Sequence, residues 1–547
     1  MRNIMKYILA GVMVLIASCS EDMVNLSNPN TITTGNFWKT ENDAVAGTNA
    51  IYQSLITDGT FMRKYMWTMD GRADDCFNVT PISYIMSQMT SYTISSSEEE
   101  LYGPWECHHA GIWRANQVLD NIDKVETWKN PGLKERCIGE AHFIRGLLYF
   151  NLINLFQNVI IYEHVPQSVQ DYYIAQSPPA EAWAFVKQEL KEAIKYCWTQ
   201  DQIKAAKQEG RASKGAAAAY LAKAYLMNSQ FDSAAPVLKD IIDGVYGTYS
   251  LVPDFSDNFT NVNENNSESI FELQFAYDNA SVQGWGLEPQ ANWQKQDGYA
   301  KSLAPKPVGW GDVCPTPWIW NEFHIEKDKD GNDDPRIEAT FVFPHYKDGT
   351  TEFVPGKTDF DSSYTVFGVQ QSDSKSGIAR WSWSITGTEL GLTPGYKVIM
   401  RKNLVEDVTL MNDWKSDINR RLVRYADILL LYAECMNELD NQTESAKYIQ
   451  IVRNRANMPD REAEFSGLTQ DQLREQIIHE RELELACEWW RYLDLLRWGW
   501  FYKADKLELL KSHDPEIQRY IPGREYLAIP TQEIDRNYLV KQNDAWN

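Results

Sequence analysis

The chain is predicted to be mainly α-helical, a scaffold of paired helices interrupted by an irregular, loop-rich and partly β region. Three observations predict it. Apolar residues recur near a 3.6-residue period through residues 41–245 and again through 411–547. Two segments repeat a helix–break–helix plan. Between about 246 and 410, Gly, Pro, Asn, Asp and Trp mix with no helical period, around short strand-like runs. At 547 residues, 43% of them hydrophobic, the chain is large enough to bury an extensive core.

The N-terminal residues MRNIMKYILAGVMVLIASCSED place Arg2 and Lys6 before an apolar run, Tyr7 to Ala17, that is too short to span a bilayer and reads as an export signal. Ile16-Ala17-Ser18-Cys19 resembles a bacterial lipobox, so residues 1–18 are expected to be removed, Cys19 to carry acyl chains and residues 19–40 to act as a lipidated tether. Each buried methylene contributes about 0.8 kcal/mol, so several chains would hold the protein on a membrane without spanning it. Ser20-Glu21-Asp22 looks like an acidic tag for the outer face. Loss of Arg2 and Lys6 takes the formal charge from −23 to −25, and the absence of a basic run sets nucleic acid aside as a partner. The other seven cysteines are widely spaced with no C-x-x-C, which signals packed thiols and neither a disulfide framework nor a zinc site.

Along the N-terminal helical region (41–245), ENDAVAGTNAIYQSLI (41–56) follows Thr40, a good N-cap, and GIWRANQVLDNIDKV (111–125) carries Ile112, Val118, Leu119 and Ile122 on one stripe. CIGEAHFIRGLLYFNLINLF (137–156) is apolar almost all round, which predicts a helix enclosed by neighbours. Residues 211–242 and 422–456 each read as a helical hairpin, the first with small residues Ala219, Ala222 and Ala224 for close approach, the second broken at Asn441. Tyr-x-x-x-Ala patterns in both resemble degenerate tetratricopeptide repeats. In the irregular region, 269–277, 339–344 and 396–402 are strand-like. Near the C-terminus, CEWWRYLDLLRWGW (487–500) reads as one helix stopped at Gly499. Trp489 and Trp490 would lie ~100° apart on it, while Glu488, Arg491, Asp494 and Arg497 would form a charged stripe able to pair along the helix or with its neighbours.

Metal and catalytic motifs are weak. Adjacent residues of Cys107-His108-His109 cannot converge from one helix, and HERELEL (479–485) has Leu483 where a zincin needs its second His. In EKDKDGNDDPRIE (326–338), Glu326, Asp328, Asp330 and Gly331 sit at calcium-loop spacing, but Ile337 stands where the closing Glu belongs. It reads as a solvated acidic loop with room for a looser calcium site. No G-x-S-x-G, P-loop or Rossmann glycine pattern occurs, and among 76 acids no glycosidase pair can be singled out.

Aromatic residues on irregular backbone are more informative. Residues 276–323 hold Tyr277, Trp285, Trp293, Tyr299, Trp310, Trp318 and Trp320 among glycines and prolines, and residues 60–92 hold Arg63, Tyr65, Trp67, Asp70, Arg72, Asp74, Tyr84 and Tyr92 between two helices. Such rings either plug a core from loops or offer flat faces to sugar C–H groups while polar neighbours bond the hydroxyls.

Taken together, the lipobox Cys19, GEAHFIRGLLYFNLINLF (139–156), Asp334-Pro335-Arg336, RYADILLLYAECMNEL (424–439), IVRNRA (451–456), ERELELACEWWRYLDLLRWG (480–499) and YLAIPTQEIDRN (526–537) resemble the SusD-like (RagB/SusD) family of outer-membrane nutrient-binding lipoproteins. The chain departs from the family pattern at Asn158 and at Trp490 and the residue before it. The resemblance implies the SusD-like fold: four tetratricopeptide-like helix pairs as a right-handed scaffold, with residues 246–410 packed on it to help build the ligand site and 411–547 as the C-terminal helical region. It also implies capture of a glycan, or in some members a peptide, without cleavage, by a lid over a SusC-like TonB-dependent transporter. Trp67, Arg72, Tyr84, Trp285, Trp293, Tyr299 and Trp310 are the expected ligand residues, chosen from composition and the regions the family uses. No catalytic residue is expected, and no cofactor beyond calcium.

Overall fold

The computed structural model describes residues 37–78, 84–276, 302–303, 313–343, 345–350, 365–366, 369–370, 398–404 and 416–547. Its principal helices are α1 (Glu41–Gln53), α2 (Glu99–Asn121), α3 (Leu133–Phe156), α4 (Pro179–Tyr196), α5 (Lys214–Leu226), α6 (Phe231–Ile242), α7 (Tyr425–Glu438), α8 (Gln442–Arg455), α9 (Gln470–Leu485), α10 (Trp490–Arg497), α11 (Ala504–His513) and α12 (Thr531–Arg536). The starts follow local chemistry. Thr40 caps α1 in a full capping box with Asp43, Thr469 caps α9 with Gln472, and the Asn441 side chain accepts from the Glu444 amide at the start of α8.

Helices α1 to α6 pack in sequence, α6 then packs on α7, and α7 on α8 and α9, so the helical stack runs from the N-terminal to the C-terminal region past the intervening chain. Helix α3 is its axis. Nearly every residue from Leu133 to Phe156 is buried, as expected of a helix apolar on all sides. Gly139 lets the end of α4 approach, since a Cβ there would meet the backbone of Cys197. Among the described residues no helix is long and apolar enough to cross a membrane.

The strands are short antiparallel pairs. Ser269–Leu273 pairs with Arg420–Arg424 at the base of the irregular region, Cys76–Asn78 with Val313–Pro315, and Phe341–Val342 with Ile399–Met400. Among the described residues, the strand-like run 269–277 forms a strand over Ser269–Leu273, and the runs 339–344 and 396–402 contain the two-residue strands Phe341–Val342 and Ile399–Met400.

The 487–500 segment differs from expectation. The helix ends at Leu485, Cys487 and Trp489 take positive φ (57° and 69°), and α10 begins only at Trp490. Two buried carboxylates impose the bend: Asp75 Oδ2 accepts from the Cys487 amide at 2.9 Å and Asp70 Oδ1 from the Trp489 amide at 2.8 Å. The expected charged stripe is largely buried and pairs both along the helix, Asp494 with Arg497 at 2.8 Å, and with other elements. Glu488 pairs with Arg424 and Lys402, Arg491 with Asp74 and Glu482, and Arg497 with Glu434. Gly499 stops the segment at φ 69°, as expected. The seven described cysteines are buried free thiols, with Cys76 and Cys487 Sγ atoms 3.4 Å apart.

Candidate functional site

The irregular region is fastened to the helical stack by a buried ionic cluster, and the cluster borders a cavity. Arg424, at the junction of the 420–424 strand and α7, donates to Glu488 (2.7 Å), Glu268 (2.8 Å) and Glu484 (2.6 Å). Arg336 donates to Asp334 (2.7 Å), Glu480 (2.7 Å) and Glu484 (3.0 Å). Arg455 from α8 reaches Glu268 (3.1 Å) and Glu484. Burial alone would raise the Glu484 pKa, but the guanidiniums of Arg455, Arg424 and Arg336 hold its carboxyl well below the usual carboxylate range.

On this base sits the short helix Phe255–Phe259, whose two rings meet edge to face at 5.1 Å and are backed by Arg455, Lys402 and Arg424 at 4.8–5.8 Å. Between this helix, the start of helix Arg336–Thr340, Arg401 and Leu404 lies a cavity of about 870 Å³. Its wall combines apolar groups (Phe255, Phe259, Leu404, Ile418) with polar and charged ones (Thr260, Asn261, Asp254, Glu338, Arg401). Arg401 donates to the Glu338 carbonyl at 2.9 Å, and Asn261 to Asp417 at 3.0 Å. A concave, mixed wall of this size suits a ligand with both apolar and hydrogen-bonding faces. Asp254 Oδ1 caps the 255–259 helix by accepting from the Ser256 amide at 2.9 Å, and the Ser256 hydroxyl donates to the same oxygen at 2.7 Å.

The expected ligand residues fall in three places. Trp285, Trp293, Tyr299, Trp310 and the lipidation residue Cys19 lie outside the described residues. Tyr84 begins helix Tyr84–Thr90, and its side chain is also outside them. Trp67 and Arg72 are core residues. Trp67 is 4% exposed with Arg63 and Lys64 over its ring, while Arg72 is fully buried and donates to the carbonyls of Arg524 (2.9 Å) and Glu525 (2.8 Å) between the rings of Tyr92 and Tyr492. Trp318 stacks on His513 at 3.9 Å, and Trp320 is buried against Phe341 and Phe343. Phe255, Phe259 and Asn261, missed from sequence, carry no motif. Their only signal was a position inside the irregular region.

The acidic 326–338 loop is organised by protein donors. Gly331 takes φ +86°, Asp328 Oδ1 accepts from the Asp330 and Asn332 amides, Asn457 donates to Asp328 and Asp330, and Glu326 pairs with Arg453 at 2.7 Å. Asp328 and Asp334 are buried, so the loop is solvated only in part. His108 and His109 bond the carbonyls of Pro104 and Trp105 one turn back.

Glu322, His479 and Glu482 do cluster, with His479 Nδ1 at 3.3 Å from Glu322 and 3.8 Å from Glu482. Burial would lower the His479 pKa, but the two carboxylates push it up to about 10, so the group is an ion pair. A raised histidine pKa stabilises the fold below the unfolded value of about 6.5 and loses that effect on the way to 10. The excess stability of the wild type over His479→Gln is therefore expected to be constant below pH 6.5 and to shrink between pH 6.5 and 10, measured by urea denaturation. A pH-independent difference would refute the ion pair.

A helical stack carrying an irregular insertion, with a cavity at their junction, describes a binding protein. Residues 267–546 match the SusD family, and residues 48–226 match a SusD-like family described as starch-binding and associating with the outer membrane. The chain belongs to the SusD family. It is 24% identical over 528 residues to SusD-like protein P25 of Formosa agariphila, covering 93% of each chain. Its fold matches a SusD superfamily protein from Bacteroides vulgatus with a TM-score of 0.72 at 26% identity, over 93% of this chain and 100% of that one. It also matches a laminarin-binding SusD-like protein with a TM-score of 0.68 at 24% identity, over 93% and 100%.

Proposed function

We propose that the protein is a lipid-anchored receptor on the outer face of the outer membrane that captures oligo- or polysaccharide and hands it, uncleaved, to a SusC-like TonB-dependent transporter. The observation that carries the reading is the cavity of about 870 Å³ at the edge of the irregular region, in a chain of this family. Its wall supplies fixed hydrogen-bonding groups beside apolar ones, and Trp285, Trp293, Tyr299 and Trp310 belong to the same irregular region, where they supply the flat faces that sugar rings need. Cys19 is the acylated residue. The reading requires no cofactor, and calcium at the 326–338 loop would have to draw its carboxylates away from Asn457 and Arg453.

Calorimetry of the soluble chain from residue 19, with Cys19→Ser, against laminarin, amylopectin and a panel of neutral oligosaccharides tests it. Binding is expected, with no new reducing ends on prolonged incubation, and Trp285→Ala/Trp293→Ala/Trp310→Ala is expected to weaken it at least about tenfold. Heat with peptides and none with any glycan would transfer the assignment to a peptide receptor. New reducing ends would make the protein a glycoside hydrolase.

A further inference from the structure

A second concavity lies on the helical scaffold and shares no lining residue with the cavity of the irregular region. It measures about 530 Å³, within the range of small-molecule sites, and is built by α2, the 160–174 loop and α12. Tyr102, Trp105, His109, Trp113 and Asn116 recur at helical spacing along one side of α2. Facing them are Tyr162, Tyr172 and Tyr173 from the loop. Trp113 is 45% exposed and Tyr172 50%, large rings left open on the walls of a concavity.

The exposed rings stand on backbone that is tied down. Asn116 Nδ2 donates to the Tyr162 carbonyl at 2.8 Å, the Tyr162 amide donates to the buried Tyr149 hydroxyl at 2.7 Å, and Asn537 Nδ2 donates to the carbonyls of Ile174 (2.9 Å) and Tyr172 (3.3 Å). Ser168 and Asp171 close a capping box on the short helix Val169–Tyr172. At one end the polar groups gather: Glu533 accepts from Trp105 Nε1 at 3.2 Å, and Arg536 donates to the Tyr102 hydroxyl and lies over its ring.

We infer that this groove is a second carbohydrate-binding site, for a neutral oligosaccharide or a stretch of polysaccharide. Rings on opposite walls sandwich sugar faces, and the Glu533 carboxylate and the Arg536 guanidinium at one end offer an acceptor and donors to hydroxyls. Carboxylates on two walls, Glu106 and Glu533, disfavour an anionic polymer. A flat protein-docking patch would need neither the concavity nor the polar end. The inference rests on the glycan reading above and adds to it: two sites on one chain hold a long polymer by avidity while each remains weak.

The test compares three forms of the soluble chain from residue 19, with Cys19→Ser, on laminarin and amylopectin by affinity electrophoresis and calorimetry: the otherwise unaltered chain, Trp113→Ala/Tyr172→Ala, and Trp285→Ala/Trp293→Ala/Trp310→Ala. Both ring positions of the groove are surface groups, so the first variant is expected to keep the unfolding midpoint of the unaltered chain, and its apparent affinity for polysaccharide is expected to fall about tenfold. Unchanged polysaccharide affinity in Trp113→Ala/Tyr172→Ala overturns the second site, and if the triple variant is weakened at the same time the proposed function stands. Unchanged glycan affinity with lost retention by a SusC-like transporter overturns it in favour of a protein contact. A chain that binds no glycan in any form overturns both readings together.

Discussion

Replacing Arg424 by leucine is expected to lower the unfolding free energy by about 3–5 kcal/mol, the cost of removing one partner from a buried ionic group. Glu268, Glu484 and Glu488 are all buried and each loses a donor at 2.6–2.8 Å, leaving Arg455 and Arg336 for Glu484 and Lys402 for Glu488. Because Arg424 ends the strand at the base of the irregular region, loss is expected to loosen that region first, read as increased amide exchange in 253–262. Urea denaturation followed by circular dichroism gives the total. A change under about 1 kcal/mol would mean that water replaces the guanidinium and the cluster is not enclosed.

Arg72→Met is expected to cost about 3 kcal/mol and to leave glycan affinity of the folded protein unchanged. Two charge-assisted hydrogen bonds are lost, each contributing about 1.5–3 kcal/mol, and the carbonyls of Arg524 and Glu525 lose these donors inside the core. Methionine retains contact with the rings of Tyr92 and Tyr492 but supplies no donor. Unfolding midpoint and calorimetric affinity, measured on one preparation, separate the roles. Unaltered stability with weakened glycan binding would return Arg72 to the ligand site, where the polar-aromatic mixture of residues 60–92 first placed it.

Those two arginines show where the sequence is legible. Helices were readable because their signals are local: Thr40 with Asp43, Asn441 with Glu444, the apolar girth of 137–156 and the stop at Gly499 each lie within a few residues of what they determine. The bend at 487–489 was not readable. Nothing in ACEWWRY breaks a helix, and the acceptors that turn it, Asp70 and Asp75, lie more than 400 residues earlier. Charge periodicity was legible in part. The stripe at Glu488, Arg491, Asp494 and Arg497 announced groups able to pair, and Asp494 does pair with Arg497 along the helix, but its other partners, Arg424, Asp74, Arg481 and Glu434, cannot be read from its spacing.

The candidate sites were half legible. Composition located the irregular region, because rings on Gly- and Pro-rich backbone stand out. It could not tell an enclosed ring from an open one, and Trp67, with cations of its own helix over it, has the same neighbours in sequence as a platform would. Trp113 escaped notice because one ring in a helix of regular period looks like packing. Tyr172 and Tyr173 sit in a stretch with no motif, and only their convergence on Trp113 gives them meaning.

The last residues of the chain complete structures begun by the first. The Leu527 amide donates to the Leu155 carbonyl, Thr531 to Ser96, Asn543 to the end of α3, and Arg72 holds residues 524 and 525. Partners this far apart in order of synthesis set the timetable of folding. The N-terminal half reaches its destination hundreds of residues before the strap that closes over it, with the apolar girth of α3 and the carbonyls at its end still uncovered. Closure of such distant contacts is slow, because chain entropy must be lost before any contact rewards it. The core around α3 is therefore complete only when residues 524–543 are in place, and until then its apolar surface is open to contact with other chains.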